Sequence, residues 1–181
     1  MTSPVFFTVV VALVGLERVA ELVVSNRNAR WSLAHGGRES GRSHYPVMVL
    51  LHTGLLVGML VEVWVRRPDV PLALAAPMLL LVVASQALRW WCIVTLGRQW
   101  TTRVIVVPGM PRVTGGPYRL LPHPNYVAVV VEGFALPLLG GAWITAVVFT
   151  VANAVLLTVR IRVEDEALRA LPDPAEGAAR A

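Results

Sequence analysis

The sequence predicts an all-α integral membrane protein with five transmembrane helices. Hydrophobic residues make up 56% of the 181 residues and charged residues only 15%, and the mean hydropathy is +0.64. A soluble domain of this size is more polar than this. Five apolar segments supply the helices, and the long connection between the third and the fourth predicts an ordered loop outside the membrane.

Four of the segments approach or exceed the roughly 20 residues that a helix needs to cross the bilayer core. They cover residues 4–24, 46–65, 71–96 and 142–159. The fifth, 126–139, would reach only about 21 Å at about 1.5 Å per residue, so we expect it to begin at Pro124. It should form a helical hairpin with the last segment through Gly140 and Gly141. The first segment lacks a basic start and a small-residue cleavage site, so it predicts a retained helix and not a signal peptide.

The arginines predict the orientation, since short cytoplasmic loops carry the excess of basic residues. They concentrate in the connections 25–44 and 97–125 and after residue 159. With five spans, this places the N terminus outside and both long connections in the cytoplasm, in a membrane that we expect to be a bacterial plasma membrane. We expect one domain, 1–171, followed by a flexible tail, 172–181.

The connection 97–125 is unusually long for a compact protein, which is typical of a functional or a disordered segment. Trp100, Val113, Tyr118 and a run of valines give it enough apolar surface to pack on the helices, so we expect an ordered cytoplasmic cap. Cys92 is the only cysteine, so a disulfide within the chain or a thiolate metal cluster is excluded, and we expect no metal site.

The end of this loop carries the sequence His-Pro-Asn-Tyr, residues 123–126. Pro124 suits the first turn of a helix, where its missing N–H does no harm. The N–H groups of Asn125 and Tyr126 would then be unpaired beside the positive end of the helix dipole, which suits an anionic ligand group. The alternative is an ordinary interfacial helix with a proline start and a tyrosine anchor.

Ionisable residues also stand at the end of the last segment. Arg160 and Glu164 share one helix face, but a stabilising pair would have the opposite order, with Glu before Arg. They are therefore candidates for function, and the alternatives are a plain salt bridge at the cytoplasmic end or an arginine of the positive-inside bias. Arg162 and Glu166 repeat the spacing and are predicted to form the solvated face.

Glu132 lies inside the short fourth segment. A charge at the centre of a membrane costs at least about 2.5 to 3.5 kcal/mol, so this carboxyl should face the helix bundle or water. It is a candidate catalytic base, and a buried ion pair with Arg89 is the alternative. Glu17 and Glu21 also share a helix face, and for them we favour pairing with the basic loop over catalysis.

The chain resembles the isoprenylcysteine carboxyl methyltransferase family of membrane enzymes, which use S-adenosylmethionine. The resemblance rests on Gly116, Tyr118, the sequence His-Pro-Asn-Tyr and the pair Arg160 and Glu164. The resemblance covers 97–168, with Pro122 where the family usually has Arg. It implies that Arg160 faces the methyl acceptor. It also implies a set of cofactor-binding residues: Pro111, Arg112, Val113, Tyr118, His123, Pro124, Asn125, Tyr126 and Glu164.

The first half of the chain, with Glu17, Arg18, Glu21 and Ser25, resembles a bacterial branch that is often associated with type III polyketide synthases. This implies an S-adenosylmethionine-dependent O-methyltransferase that acts on a hydroxyl or carboxylate of a lipophilic acceptor, with alkylpyrones and alkylresorcinols as candidates. Two alternatives remain: a small membrane carrier or scaffold without enzymatic activity, and a membrane reductase that uses a nicotinamide cofactor. We expect no nucleic-acid partner, and soluble nucleotide-binding motifs are absent.

Overall fold

The computed structural model describes residues 3–170 as a helical protein with one small sheet. Single 3-10 turns lie at Arg42–His44, Gly97–Gln99 and Gly116–Arg119. The predicted flexible tail, 172–181, lies outside the described residues. The five helices are α1 Pro4–Ala34, α2 Tyr45–Arg66, α3 Leu72–Leu96, α4 Pro124–Leu139 and α5 Trp143–Arg169.

Three helical stretches are long and apolar enough to cross a membrane: Arg42–Arg66, Leu72–Gln99 and Trp143–Arg169, with mean hydropathies of 1.9, 1.8 and 2.0. Helix α4 begins at Pro124, as predicted, and its 16 residues are also apolar. Helix α1 is long, but charged residues interrupt its middle. The chain is therefore a helical integral membrane protein, and the count of five crossings stays a prediction.

The outward faces of the helices are apolar, with Leu50 at 74% exposure, Val65 at 76% and Val94 at 75%. Soluble monomers rarely expose such continuous apolar surface, whereas lipid covers it in a membrane. The interior is also apolar and contains the fully buried side chains Phe7, Met59, Leu136 and Leu139.

Helix α1 continues to Ala34, so the prediction of a loop from residue 25 was wrong for its first ten residues. No glycine or proline interrupts residues 25–34, and the helix ends just before Gly36 and Gly37. Gly36 has a φ of +79°, a conformation that glycine adopts without steric cost. The extra turns extend α1 beyond its apolar segment, where Ser25 and Asn28 contact the loop between α3 and α4.

A two-stranded antiparallel sheet joins the two polar connections, and the all-α prediction missed it. Strand β1, Arg38–Ser40, pairs with β2, Val104–Val106, with Arg38 opposite Val106. Three-residue strands are too short to give an alternating pattern in the sequence. The sheet ties the loop after α3 to the segment between α1 and α2.

The turn between α4 and α5 requires glycine at one position. Gly141 has a φ of +76°, and a Cβ there would lie 2.9 Å from a side-chain carbon of Pro68. Just beyond it, the Glu62 carboxylate of α2 accepts hydrogen bonds from the N–H groups of Ile144, at 3.1 Å, and Thr145, at 2.8 Å. This buried glutamate therefore caps α5 and fixes the hairpin against α2.

Candidate functional site

A cavity of about 620 Å³ lies among the five helices and the loop between α3 and α4. This volume is within the usual range for small-molecule sites. Part of its wall is polar and is formed by the loop, the start of α4 and the end of α5. The rest is largely apolar and includes Met48, Val49, Leu56, Val129 and Leu156.

The extended end of α1 holds the start of the loop in place. The Asn28 side chain donates hydrogen bonds to the carbonyl groups of Gly97, at 2.9 Å, and Trp100, at 2.8 Å. The Ser25 hydroxyl accepts a hydrogen bond from the Thr102 N–H at 2.9 Å. Because Trp100 is also buried at 3% exposure, this part of the cavity wall is anchored by packing and by hydrogen bonds.

The second half of the loop packs on α3. Gly116 has a φ of +55°, and a Cβ there would lie 2.6 Å from the Thr95 hydroxyl, so only glycine fits. The Tyr118 hydroxyl forms a hydrogen bond with the Cys92 thiol, and burial raises the pKa of Tyr118 well above its usual range. Tyr118 is therefore a neutral hydrogen-bonding group on the cavity wall.

Helix α4 begins at the cavity with Pro124 in its first position. The Tyr126 N–H donates to the His123 carbonyl at 3.1 Å, so the prediction that it is unpaired was wrong. The chain tightens into a 3-10 turn at this point. The Asn125 side-chain oxygen lines the cavity and is buried without a hydrogen-bond partner, which leaves an acceptor for a ligand there.

The start of α4 is tied to the end of α5 through Glu164. The Tyr126 hydroxyl donates a hydrogen bond to the Glu164 carboxylate, and His123 Nδ1 lies 3.8 Å from the same carboxylate. The other ring nitrogen of His123 is 3.3 Å from Asp165 Oδ1. The His123 and Tyr126 rings stack with their centroids 5.5 Å apart. Three predicted cofactor residues thus form one polar group on the cavity wall.

Arg160 is buried at 5% exposure and also lines the cavity. Its Nη2 donates to the Thr102 carbonyl at 2.9 Å, and its guanidinium carbon lies 6.0 Å from the centre of the Tyr126 ring. Its Nη1 is buried without a hydrogen-bond partner. Within residues 3–170 no ion pair joins Arg160 to Glu164, so the alternative of a plain salt bridge finds no support in the structure.

Residues 78–170 match the sequence model of the isoprenylcysteine carboxyl methyltransferase (ICMT) family. The chain is also 36% identical over 163 residues to a Bacillus subtilis (strain 168) protein named "Uncharacterized protein YpbQ". That similarity covers 90% of this chain and 96% of the relative. The chain belongs to the ICMT family. Membership implies a membrane methyltransferase, and methyltransferases of this family use S-adenosylmethionine.

The structure brings most of the predicted ICMT site residues together at the cavity. Pro111 and Pro124 do not line it: the Pro111 carbonyl accepts a hydrogen bond from Gln99, and Pro124 is fully buried in the first turn of α4. The predicted residues that line it are Arg112, Val113, Tyr118, His123, Asn125, Tyr126, Arg160 and Glu164. Their roles toward a cofactor or an acceptor stay predictions.

Glu132 is not among the residues that line the cavity. One of its oxygens lies 2.8 Å from Arg89 Nη2 and 3.0 Å from Arg18 Nη2. Both arginines hold this carboxylate away from the residues that line the cavity. The geometry therefore favours the predicted alternative, a buried ion pair with Arg89, over a catalytic role for Glu132.

Several cavity residues were missed or given another role in the sequence analysis. Arg18, Glu21 and Arg89 line the cavity, although we favoured pairing with the basic loop for Glu21. The signal was available, since charges at membrane depth tend to mark functional sites. Thr102 and Asn153 also line it. An asparagine in an apolar span was a usable signal for Asn153, but nothing in the sequence pointed to Thr102.

Proposed function

We propose that this protein is an S-adenosylmethionine-dependent O-methyltransferase that acts on a lipophilic acceptor in the membrane. The observation that carries the proposal is one cavity with both a polar and an apolar wall. Glu164, Asn125 and the unpaired nitrogen of Arg160 line the same space as the apolar residues of α2 and α4. The polar part of the wall suits a polar cofactor, and the apolar part suits a lipophilic acceptor.

The polar wall fits the chemical groups of S-adenosylmethionine. The cofactor carries an amino group, a carboxylate, ribose hydroxyls and an adenine, and when bound it supplies an electrophilic methyl group. The Glu164 carboxylate suits the amino group or the ribose hydroxyls, and the buried Asn125 oxygen suits a donor. We propose that Arg112, Val113 and Tyr118, which were predicted to bind the cofactor, form the wall around its adenine.

Arg160 is proposed to orient the acceptor. Its Nη1 is buried without a partner, while Nη2 is held by the Thr102 carbonyl at 2.9 Å. A fixed, desolvated guanidinium favours an acceptor oxygen that carries negative charge, by charge and by hydrogen bonding. Catalysis would then depend mainly on positioning in a site from which water is excluded.

Hydroxyls of alkylpyrones and alkylresorcinols are the acceptors to test first, with a type III polyketide synthase as their source. The resemblance of the first half of the chain to the bacterial branch supports this choice. We further propose a plasma-membrane location, with the N terminus outside and the cavity open to the cytoplasm. The arginines of the loop and of α5 support that orientation.

Calorimetric titration of the purified protein with S-adenosylmethionine, S-adenosylhomocysteine and NADPH tests the cofactor. We expect both sulfur compounds to bind and NADPH to give no signal. Incubation with methyl-labelled cofactor and a long-chain resorcinol should then give a labelled methyl ether. Binding of NADPH alone would favour the reductase, and folded protein that binds none of the three would refute the proposed function.

A further inference from the structure

A cluster of four charged residues lies beside the cavity, and three of them, Arg18, Glu21 and Arg89, line its wall. Arg18 and Glu21 belong to α1, Arg89 to α3 and Glu132 to α4. Arg18 Nη1 lies 2.6 Å from Glu21 Oε2, and both arginines contact Glu132. Glu17 lies 3.9 Å from Arg18 Nη2, so the opposite charges of the cluster largely compensate one another.

The space between Glu21 Oε1 and Arg89 Nε is a gap in the hydrogen bonding of this cluster. Glu21 Oε1 and Arg89 Nε lie 3.6 Å apart, and both atoms are buried without a hydrogen-bond partner. Glu21 is 3% exposed and Arg89 is 6% exposed, so bulk water does not satisfy them. Both residues line the cavity, whereas Glu132 does not. Buried polar atoms without partners need an explanation, and a ligand group in the cavity would provide one.

The chemistry of the gap suits a hydroxyl group. Glu21 Oε1 needs a donor and Arg89 Nε needs an acceptor, and a hydroxyl supplies both functions from one oxygen. An oxygen at about 2.8 Å from each atom fits a triangle whose third side is 3.6 Å. A carboxylate group would be repelled by Glu21, and an ether could satisfy only Arg89.

We propose that Glu21 and Arg89 bind the hydroxyl of the methyl acceptor and that Glu21 takes its proton. This inference rests on the proposed methyltransferase function. As the acceptor's O–H bond breaks, its proton moves to the Glu21 carboxylate. A lone pair of the acceptor oxygen forms the new bond to the methyl carbon, and the electron pair of the broken C–S bond stays on sulfur.

Contacts within the fold connect this pair to the rest of the site. Ser25 lies one helical turn after Glu21 and holds Thr102, whose carbonyl accepts the hydrogen bond from Arg160. Glu21 and Arg160 therefore line one cavity, and Ser25 and Thr102 connect the helices that carry them.

The charged groups around Glu21 are Arg18 and Glu17 on its own helix, Arg89 on α3 and Glu132 on α4. From α2, His52 lines the same cavity. Any pH profile of the reaction reports this coupled group. For that reason the test below varies the acidity of the acceptor and not only the pH.

The test compares Glu21→Gln with Glu17→Gln. Glu17 lies one turn earlier on α1, does not line the cavity and bonds to Gln86 and Trp90. With a weakly acidic long-chain resorcinol, we expect Glu21→Gln to lower single-turnover methylation by about 10²- to 10⁴-fold, as removal of a general base does. With a nitrophenol that is already ionised at the assay pH, the loss should nearly vanish. Glu17→Gln should match the wild type on both acceptors.

Binding without cofactor gives a second measurement. We expect the wild type to bind an alkylresorcinol at least tenfold more tightly than its dimethyl ether, and Glu21→Gln to lose that preference. S-adenosylhomocysteine affinity should be unchanged in both variants. If Glu21→Gln does not fold, Glu21→Asp, which withdraws the carboxylate by one methylene, takes its place in both measurements.

Equal losses on both acceptors, or behaviour equal to that of Glu17→Gln, would overturn the role of Glu21. These outcomes differ from a failure of the proposed function, in which the wild type itself neither binds S-adenosylhomocysteine nor methylates the resorcinol. A wild type that methylates the resorcinol and a Glu21→Gln variant that does so equally well would refute this inference alone.

Discussion

Replacement of Glu164 by Gln should weaken cofactor binding without unfolding the protein. The Glu164 carboxylate accepts a hydrogen bond from the Tyr126 hydroxyl and lies beside His123, and 33% of its side chain is exposed. The Gln amide oxygen can still accept from Tyr126, so the tie between α4 and α5 is largely kept. What is lost is the negative charge that faces the cavity.

The expected magnitude follows from that lost charge. A charge-assisted hydrogen bond contributes about 1.5 to 3 kcal/mol. Since one third of the side chain is exposed, screening by solvent favours the lower part of this range. We therefore expect a loss of about one decade in affinity for S-adenosylhomocysteine, measured by calorimetry. The acceptor affinity of the variant should stay the same.

Arg160→Met should give the opposite pattern. Arg160 is proposed to act on the acceptor, so the variant should keep its S-adenosylhomocysteine affinity and lose single-turnover methylation by one to two decades. Because Arg160 also bonds the Thr102 carbonyl, a modest loss of thermal stability is expected as well.

The same helix offers matched controls, since Arg162 and Glu166 repeat the spacing on an exposed face. Arg162→Met and Glu166→Gln should leave both measurements unchanged. If the variants at Arg160 and Glu164 behave like these controls in cofactor affinity and in turnover per folded molecule, the two assigned roles are refuted.

Three further predictions concern the ligand, the orientation and the fold. Saturating S-adenosylhomocysteine should raise the thermal midpoint, because a ligand that binds only the folded state stabilises it; no shift in folded protein would contradict the cofactor assignment. In a Cys92→Ala background, cysteines at Ala34 and Ala175 should be protected from an impermeant reagent in intact cells, and labelling of both from outside would reverse the orientation. Glu62→Gln should destabilise the protein by about 1 to 2 kcal/mol, since it weakens the cap of α5; an unchanged thermal midpoint would show that the cap contributes little.

The sequence predicted the helices well where composition determines structure. Membrane segments need long apolar runs, so helices α2, α3 and α5 follow directly from hydropathy. Pro124 marked the start of α4, because proline is tolerated in the first turn and excluded from most of the helix interior. The end of α1 was missed because its last turns are polar and carry no membrane signal, although no residue breaks the helix before Gly36.

The candidate site was predictable to the extent that its residues stand close together in the sequence or carry charge in an apolar segment. His123, Tyr126 and Glu164 meet because the hairpin returns the end of α5 to the start of α4. The contact between Thr102 and Arg160 was not predictable, since it depends on how the loop crosses α1. A backbone carbonyl leaves no signature in the side-chain pattern.

The division of the cavity between the two halves of the chain bears on what the enzyme can methylate. The polar wall with His123, Tyr126 and Glu164 lies within the segment that matches the ICMT family, residues 78–170. Glu21 and the apolar residues of α2 lie outside that segment but line the same cavity. If the cofactor is bound by the shared segment, the first two helices add a part of the acceptor site that the segment does not contain. Differences in acceptor among related proteins should therefore arise in α1 and α2, while Arg89 and Arg160 keep their contact with the acceptor.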